Sequence, residues 1–348
     1  MTMFTRRSIL KAIGASSLLS SQGLLASKAF AGERDDQLNI LCWEGYNSAE
    51  VLDPYRTLKS ANVKAESATN DPTMVNKLRA GETKVWDLIN VNNPWARKIL
   101  FPEGLILPLD KDEFAPFFDK MLPTFKFPYD WAMSVDGSQL LGMAQRFGPF
   151  NFVVNTDKIS RKSAEEIGWK LFTDPALKGK FAIQESDDWN VAHIFAIAGI
   201  DPYKEHTKDE MDAFAKMSKY IFSNAKFVGD IAAVNQGLVN GEIDAYISGG
   251  TYTASLARAE GLSNIRAISP NKDAYMWVEL TSVVNNPNKT PLAYDFLKYV
   301  QTPEVAHTVA FAEGTFNPVA QMGNKECFNL FTNDELDAIQ YDSLEEEM

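Results

Sequence analysis

Aromatic and acidic side chains recur at the ends of the segments that the sequence predicts to be strands. A carboxylate pairs with an ammonium group, and the face of an aromatic ring attracts a cation. Because the carboxyl ends of parallel strands form the ligand-binding edge of an open α/β sheet, we expect these side chains to meet there and to hold a small organic amine. The candidate binding residues are Trp43, Glu44, Tyr46, Trp95, Glu185, Asp187, Trp277 and Glu279.

Trp277 and Glu279 form the pair on which this hypothesis depends most. Residues two apart on a strand face the same side, so the ring and the carboxylate should point in one direction. The other candidates have structural alternatives. Trp43 and Trp95 equally suit a hydrophobic core, and Asp187 or Asp188 suits the cap of the helix predicted from Trp189.

Arg146 is a cation among these acids and has two alternative roles. Its guanidinium could hold a ligand carboxylate through two parallel hydrogen bonds, or it could neutralise a neighbouring acid such as Glu279. The first role would favour a ligand that carries a carboxylate as well as an amine. Both roles stay open on the sequence alone.

The chain offers little for catalysis or for metal binding. Its three histidines have no metal-ligand spacing, and its two cysteines, Cys42 and Cys327, are too few for a zinc cluster or an iron–sulfur site. One disulfide between them is conceivable, although nothing in the sequence requires it. With no nucleophile–base pair and no dinucleotide fingerprint, we expect no cofactor, no metal and no enzyme; an exported enzyme is the less favoured alternative.

Residues 1–31 have the pattern of a twin-arginine export signal. Arg6 and Arg7 precede an apolar run that serines interrupt, and a small-x-small cleavage site ends at Ala31. We expect the twin-arginine translocase to export the chain and cleavage to follow Ala31. The run is too polar for a spanning helix, so the mature protein should be soluble in the periplasm.

The composition is typical of a folded, acidic protein. A length of 348 residues with 45% hydrophobic side chains suffices for one large or two medium domains. The net charge is −12, and removal of the four basic residues of the predicted signal leaves 30 basic against 46 acidic side chains, or −16. This charge repels nucleic acid and anionic lipid but attracts cations.

Predicted strands and helices alternate along the chain, which indicates an α/β layer architecture with a largely parallel sheet. Asn93 is expected to cap one of the helices and Pro94 to occupy its first position, and residues 333–348 are expected to form a polar, acidic tail. Strands are predicted over residues 37–43, 62–67, 87–91, 145–155, 180–184, 245–248 and 276–284, and helices over residues 71–80, 163–171, 189–198, 208–223, 253–260, 291–300 and 303–312.

Several segments, in this order and at these spacings, carry a resemblance to a known family. They are LCWEGY at 41–46, WDLI at 86–89, NNPW at 92–95, FPEGLILPLD at 101–110, RFG at 146–148, VNTD at 154–157, DPALKGK at 174–180, GEID at 241–244 and MWVE at 276–279. By these segments the chain resembles the extracellular solute-binding proteins of ABC transporters, in their spermidine/putrescine-binding branch.

The resemblance implies an α/β fold of the two-lobed, periplasmic-binding-protein-like type II, in which each lobe is a mixed sheet flanked by helices and two crossover strands form the hinge. It implies a first lobe of residues 37–145 plus about 281–320, a second lobe of residues 146–280, and a C-terminal segment, 321–348, whose lobe stays open. We expect a monomer that closes around a polyamine such as putrescine or spermidine and delivers it to ABC permease subunits in the inner membrane.

Departures from the family pattern keep a second ligand class open. Gly45 stands where the polyamine binders carry an acid before the tyrosine, and Trp189 stands about where a carboxylate of the second lobe is expected. Together with Arg146, these changes leave room for a carboxylated amine, such as a GABA-like or amino-acid zwitterion.

Overall fold

Short apolar runs of the sequence become buried strands, and Gly, Pro and Asn positions separate them from helices. The computed structural model describes residues 34–312 and 316–347, so the predicted export signal, residues 1–31, lies outside the described residues. The strands are β1 (Gln37–Trp43), β2 (Asn62–Ala68), β3 (Leu88–Asn92), β4 (Ile106–Leu107), β5 (Met143–Asn155), β6 (Phe181–Gln184), β7 (Val228–Gly229), β8 (Ala245–Gly250), β9 (Ile265–Ile268) and β10 (Met276–Val284).

Helices connect these strands, and local capping sets where some of them begin. The side chains of Thr207 and Glu210, for example, form a reciprocal capping box that starts α7. The helices are α1 (Ala49–Lys59), α2 (Asp71–Arg79), α3 (Asn93–Trp95), α4 (Lys111–Phe118), α5 (Arg161–Ile167), α6 (Asp187–Ile197), α7 (Lys208–Asn224), α8 (Ile231–Val239), α9 (Thr251–Ala259), α10 (Leu292–Tyr299), α11 (Pro303–Phe311), α12 (Lys325–Phe328), α13 (Asn333–Ala338) and α14 (Tyr341–Glu347).

The strands form one continuous mixed sheet in the order β2-β1-β3-β10-β5-β8-β6-β7, with β4 beside β10 and β9 beside β5. Pairing is parallel among β1, β2 and β3 and among β6, β7 and β8, as the strand–helix alternation predicts. The antiparallel pairs all involve the two long strands β5 and β10. The sheet therefore consists of two parallel groups joined through β5 and β10.

β5 and β10 are the crossing strands, and they pair with each other. The first half of β5 lies against β10, with Gly148 opposite Trp277, whereas its second half pairs with β8 and β9. All thirteen residues of β5 are buried. A strand enclosed on both faces along its whole length can link two layers without exposing its backbone.

The hydrophobic interior is divided in the same way. A large core is formed by side chains from residues 38–147 and 278–344. Two small cores are formed by side chains from residues 152–268, on the two faces of the second group of strands. The chain therefore leaves the large core through β5 and returns to it through β10.

The C-terminal segment contacts both parts of the molecule. Its first portion packs into the large core through Met322 and Cys327. Its later portion is helical, in contrast to the predicted tail, and the side chain of Gln340 exchanges two hydrogen bonds with the backbone of Ala267 on β9, at 2.8 and 2.9 Å. We name residues 321–344 the C-terminal strap.

Arg258 of α9 anchors the strap to the second part of the molecule. Its guanidinium donates to the carbonyl of Asp337 at 2.9 Å and to the carboxylate of Asp337 at 2.7 Å. It also donates to the carbonyls of Ser263 and Ile265. The Arg258 side chain is 1% exposed, whereas that of Asp337 is 54% exposed, so the guanidinium is buried and only its carboxylate partner remains open to water.

Two predicted helix starts need correction. Asn92, and not Asn93, occupies the cap position of α3, and its side chain does not cap the helix. Ser186, and not Asp187 or Asp188, occupies the cap position of α6. In the first case the Asn92 amide donates to Asp71 instead, which gives it a tertiary partner in place of a local one.

Cys42 and Cys327 are both buried and are not joined by a disulfide. Among the residues that the structure describes, no helix has the length and apolar character needed to cross a membrane.

We predict that Arg258→Ala lowers the free energy of unfolding by about 2–3 kcal/mol, because it removes charged hydrogen bonds that hold the C-terminal strap. Urea denaturation measures the change. Arg79→Ala is the matched control, since Arg79 pairs with Glu103 on an exposed surface, and its midpoint should match that of the wild type. Equal midpoints for both variants would contradict an anchoring role of Arg258.

Candidate functional site

A cavity of about 140 Å³ lies where β5 and β10 meet the ends of β1 and β3 and the first turns of α6 and α9. Half of its lining residues are aromatic, and the rest are polar or charged. The lining consists of Trp43, Glu44, Asn92, Arg146, Phe150, Trp189, Tyr252, Trp277, Glu279 and Asn317.

Arg146 and Glu279 form a bidentate ion pair in this lining. Nε of Arg146 donates to Oε2 of Glu279 and Nη2 donates to Oε1, each over 3.0 Å, and each side chain is 5% exposed. The register of β5 and β10 shifts between Val278 and Leu280, so two residues of β5 oppose the single residue Glu279. Such a bulge changes the direction of side chains, and here it lies where the two charges meet.

Tyr46 contacts both members of the pair. Its hydroxyl donates to Oε2 of Glu279 over 2.7 Å, and the guanidinium carbon of Arg146 lies 4.4 Å from the centre of its ring. Burial, and then the charge of Glu279, raise the pKa of Tyr46 well above its ordinary value. Burial alone would lower the pKa of Arg146, but the charge of Glu279, the hydrogen bonds to it and the contacts with Tyr46 together outweigh burial, and the pKa rises. Arg146 therefore remains a cation and Tyr46 a neutral donor.

Gly45 allows the chain after β1 to approach Arg146. Its φ angle is +96°, and a Cβ at this position would lie 3.0 Å from Nη1 of Arg146 and 3.2 Å from the carbonyl oxygen of Ala312. Only glycine meets both conditions without strain. An acid at this position would be strained, and the acid of this turn is instead Glu44, an exposed residue of the cavity lining.

A buried carboxylate behind the cavity holds two lining residues. Oδ1 of Asp71 accepts the indole N–H of Trp43 at 2.8 Å and the backbone N–H of Asn92 at 3.1 Å, and Oδ2 accepts the Asn92 amide at 2.8 Å. Burial raises the pKa of Asp71 to about 6, although these hydrogen bonds act in the opposite direction. Near neutral pH, its negative charge adds to the attraction of a cation at the Trp43 ring.

Four rings, which we name the aromatic wall, line the remainder of the cavity: Phe150, Trp189, Tyr252 and Trp277. The Phe150 ring centre lies 4.8 Å from that of Trp189 at an interplanar angle of 70°, and 5.5 Å from that of Tyr252 at 25°. Tyr252 and Trp277 meet at 6.2 Å and 90°. These angles suit aromatic packing, so the wall holds its own shape.

His193 supports the aromatic wall from the protein interior. Its Nε2 lies 2.8 Å from the carbonyl oxygen of Phe150, and its Nδ1 lies 2.9 Å from Oγ of Ser248. The ring also lies 5.7 Å from that of Trp189, one turn earlier on α6. Burial lowers the pKa of His193 to about 3, so the imidazole is neutral at physiological pH.

The structure brings together five of the residues proposed from sequence, Trp43, Glu44, Arg146, Trp277 and Glu279, in one lining. Tyr46 lies behind them. Arg146 takes the second of its two predicted roles, because its guanidinium neutralises Glu279.

Two other predicted residues, Trp95 and Glu185, are not part of the lining. Trp95 is half-buried and packs against the large core, which was its structural alternative. Glu185 is exposed, because its backbone N–H continues the pairing of β6 to Gly229 while its side chain points to solvent. Asp187 lies in the first turn of α6, and its side chain lies outside the described residues.

Sequence reasoning missed Asn92, Phe150 and Tyr252 as lining residues. Asn92 ends β3, so the rule that strand ends meet the ligand could have identified it. Phe150 lies within a continuous apolar strand, and Tyr252 follows a glycine turn, so neither position carries a local signal. Within the described residues, no group of three or more His, Cys, Asp and Glu side chains is placed to hold a metal ion.

Comparisons with known proteins agree with this geometry. The family model of bacterial extracellular solute-binding proteins matches residues 51–326. The fold is similar to that of the spermidine/putrescine ABC transporter substrate-binding protein PotD from Streptococcus pneumoniae, with 15% identity, coverage of 88% of this chain and 91% of that chain, and a TM-score of 0.65. No protein with a curated description matches the chain.

Two further structures show the same fold. The Tp0655 (TpPotD) lipoprotein of Treponema pallidum has 14% identity, with 89% and 98% of the two chains covered and a TM-score of 0.65. The periplasmic binding protein AgtB from A. tumefaciens R10, solved with agropinic acid, has 16% identity, 90% and 97% coverage and a TM-score of 0.57. At these identities the likeness establishes the two-lobed α/β fold.

We predict that Arg146→Met lowers the free energy of unfolding by about 3–5 kcal/mol, because it leaves the Glu279 carboxylate buried without a partner. The double variant Arg146→Met/Glu279→Met should recover most of this loss. Urea denaturation of both single variants and of the double variant measures the coupling. Additive losses would show that the two charges do not stabilise each other.

We predict opposite effects of His193 and Asp71 on the pH dependence of stability. His193 binds a proton in the unfolded chain below its ordinary pKa but not in the folded protein, so its contribution to stability falls as the pH decreases from about 6.5 towards 3. Asp71 binds its proton earlier in the folded protein, so its contribution rises as the pH decreases through about 6.

Unfolding measured between pH 6 and pH 4 tests both effects. The slope of unfolding free energy against pH should become less positive in His193→Gln and more positive in Asp71→Asn, by up to about 1.4 kcal/mol per pH unit in each case. Shifts of the same sign in the two variants would contradict the assigned protonation states.

Proposed function

Because the chain belongs to the family of bacterial extracellular solute-binding proteins, we propose that it is the periplasmic receptor of an ABC importer for a small organic cation. The cavity lining carries this proposal, since it combines five aromatic rings with two carboxylates and a single guanidinium. The ligand would be enclosed by hinge closure and handed to permease subunits in the inner membrane, without any chemical step.

Putrescine is the polyamine that the geometry supports best. The similar structure from S. pneumoniae is named for spermidine and putrescine, and the cavity offers aromatic rings for the methylenes of an alkyl diamine and the Glu44 carboxylate for one of its ammonium groups. Its volume of about 140 Å³ is below the 300–1,000 Å³ usual for drug-sized ligands. Among the described side chains of the lining, Glu44 is the one acid outside the Arg146 pair. A longer triamine such as spermidine would need more length and more acids.

A carboxylated amine is the second candidate, and the presence of Arg146 in the lining favours it. Its Nε and Nη2 atoms already bind Glu279, however, so a ligand carboxylate would have to compete with a buried ion pair. Because of this competition, we propose a GABA-like zwitterion as a less favoured ligand than a diamine.

We propose the lobe boundaries predicted from sequence, residues 37–145 with about 281–320 for the first lobe and residues 146–280 for the second. The division of the hydrophobic interior supports them, because the large core and the two small cores draw on nearly the same ranges. The C-terminal strap would then belong to both lobes. Export by the twin-arginine translocase and a monomeric state remain part of this proposal.

We predict that titration calorimetry detects binding of putrescine, with weaker binding of spermidine and of γ-aminobutyrate. Trp277→Ala should weaken putrescine at least tenfold, because the ring is lost from the lining. Trp131→Ala is the matched control, since Trp131 is 51% exposed and is not part of the lining. If no amine, primary or N-substituted, gave measurable heat of binding, the proposed function would be refuted. Tighter binding of γ-aminobutyrate than of putrescine would favour the zwitterion as the ligand.

A further inference from the structure

We infer that the cavity selects a compact, N-methylated ammonium ion, such as a trimethylammonium head group, over a primary amine. The inference rests on the proposed function, since it narrows the class of cation that the receptor takes. It depends on four properties of the lining: the arrangement of the rings, the shortage of hydrogen-bond acceptors, the charge, and the size.

The rings enclose a volume and do not form a single stack. Within the aromatic wall, the interplanar angles are 70° between Phe150 and Trp189 and 90° between Tyr252 and Trp277. Trp43 adds a fifth ring from β1, on a separate element. A cation that presents methyl groups in several directions can contact several such rings at once, and quaternary ammonium ions are recognised in this way.

Among the described side chains of the lining, the buried acceptors for the three N–H groups of a primary ammonium are the Glu279 carboxylate and the amide oxygens of Asn92 and Asn317. Oε2 of Glu279 accepts from Tyr46 and from Arg146, and Oε1 accepts from Arg146 again. Oδ1 of Asn92 is a buried acceptor without a partner among the described residues. An ammonium group that loses its hydration without replacing each hydrogen bond is destabilised. A quaternary ammonium has no N–H group, so it incurs no such penalty.

The charge of the lining suits one cationic centre. Arg146 and Glu279 compensate each other, which leaves Glu44 as the remaining formal charge among the lining side chains that the structure describes. Glu44 is exposed, so it can attract a cation to the mouth without requiring a direct contact inside. A diamine would place a second positive charge near the Arg146 guanidinium, and the two would repel each other.

The size of the cavity also favours a compact head group. Its volume of about 140 Å³ is close to that of a protein cavity of about 150 Å³ that holds a single benzene molecule. A trimethylammonium group is roughly as large as that ring, whereas an extended diamine has its charges at two distant ends.

Titration calorimetry with three probes on the wild-type protein tests the inference. Choline carries the trimethylammonium group, 3,3-dimethyl-1-butanol is its neutral isostere, and putrescine is a primary diamine. We expect choline to bind at least about tenfold more tightly than either of the other two, the difference that cation–π attraction to several rings supplies.

Two substitutions of one ring distinguish the ring face from its hydroxyl. Tyr252→Phe keeps the face and should leave choline binding within about threefold of the wild type, whereas Tyr252→Leu should weaken it by about tenfold. The neutral isostere should be nearly insensitive to both changes. Thermal unfolding of each variant verifies that it is folded before titration.

The possible outcomes separate this inference from the proposed function. Binding of putrescine as tight as that of choline, or tighter, would overturn the inference and leave the proposed function standing. Equal binding of the isostere would overturn it as well, because the cavity would then recognise shape without charge. Failure of all amines, choline included, would overturn both.

Discussion

The buried ion pair between Arg146 and Glu279 is the interaction on which the rest of the site depends. It lies at the bulge in the pairing of the two crossing strands. Tyr46, from the turn after β1, belongs to the same cluster because its hydroxyl donates to Glu279. Removal of either charge would leave the other in a medium that cannot solvate it. The pair therefore joins three elements. Its two charges also cancel, so the part of the lining that the pair forms, which we name the cavity floor, has no net charge.

A neutral floor changes what the other lining residues must do. The attraction of a cation must then come from the aromatic rings, and the rings attract a cation well only when they are held in place. Asp71 fixes the indole of Trp43, and His193 holds the backbone carbonyl of Phe150 beneath the aromatic wall. Both are buried groups that hydrogen-bond to lining residues and are not themselves part of the lining. The shape of the site is thus determined by a layer of polar residues that no ligand would touch.

Sequence patterns predict the structure correctly where interactions between residues close in the chain determine it. The bounds of β1 and β10 follow from short apolar runs, and the placement of Trp277 and Glu279 on one side follows from strand geometry. The choice between the two roles of Arg146 was beyond such reasoning, because its partner is 133 residues away and the pairing of β5 with β10, with its bulge, brings them together. The same holds for Phe150 and Tyr252. Their positions carry no local signal, and the pairing of β5 with β8 brings them close.

The C-terminal strap has a consequence for how the molecule forms. The large core needs side chains from both ends of the chain, so its hydrophobic surface stays incomplete while the residues of the small cores are being synthesised. Asp337, the partner of Arg258, follows it by 79 residues in the chain, and contacts of such sequence separation slow folding. The last helices to leave the ribosome thus join the two parts of the molecule, and a chain that ends early would lack this connection even with every residue of the cavity lining already present.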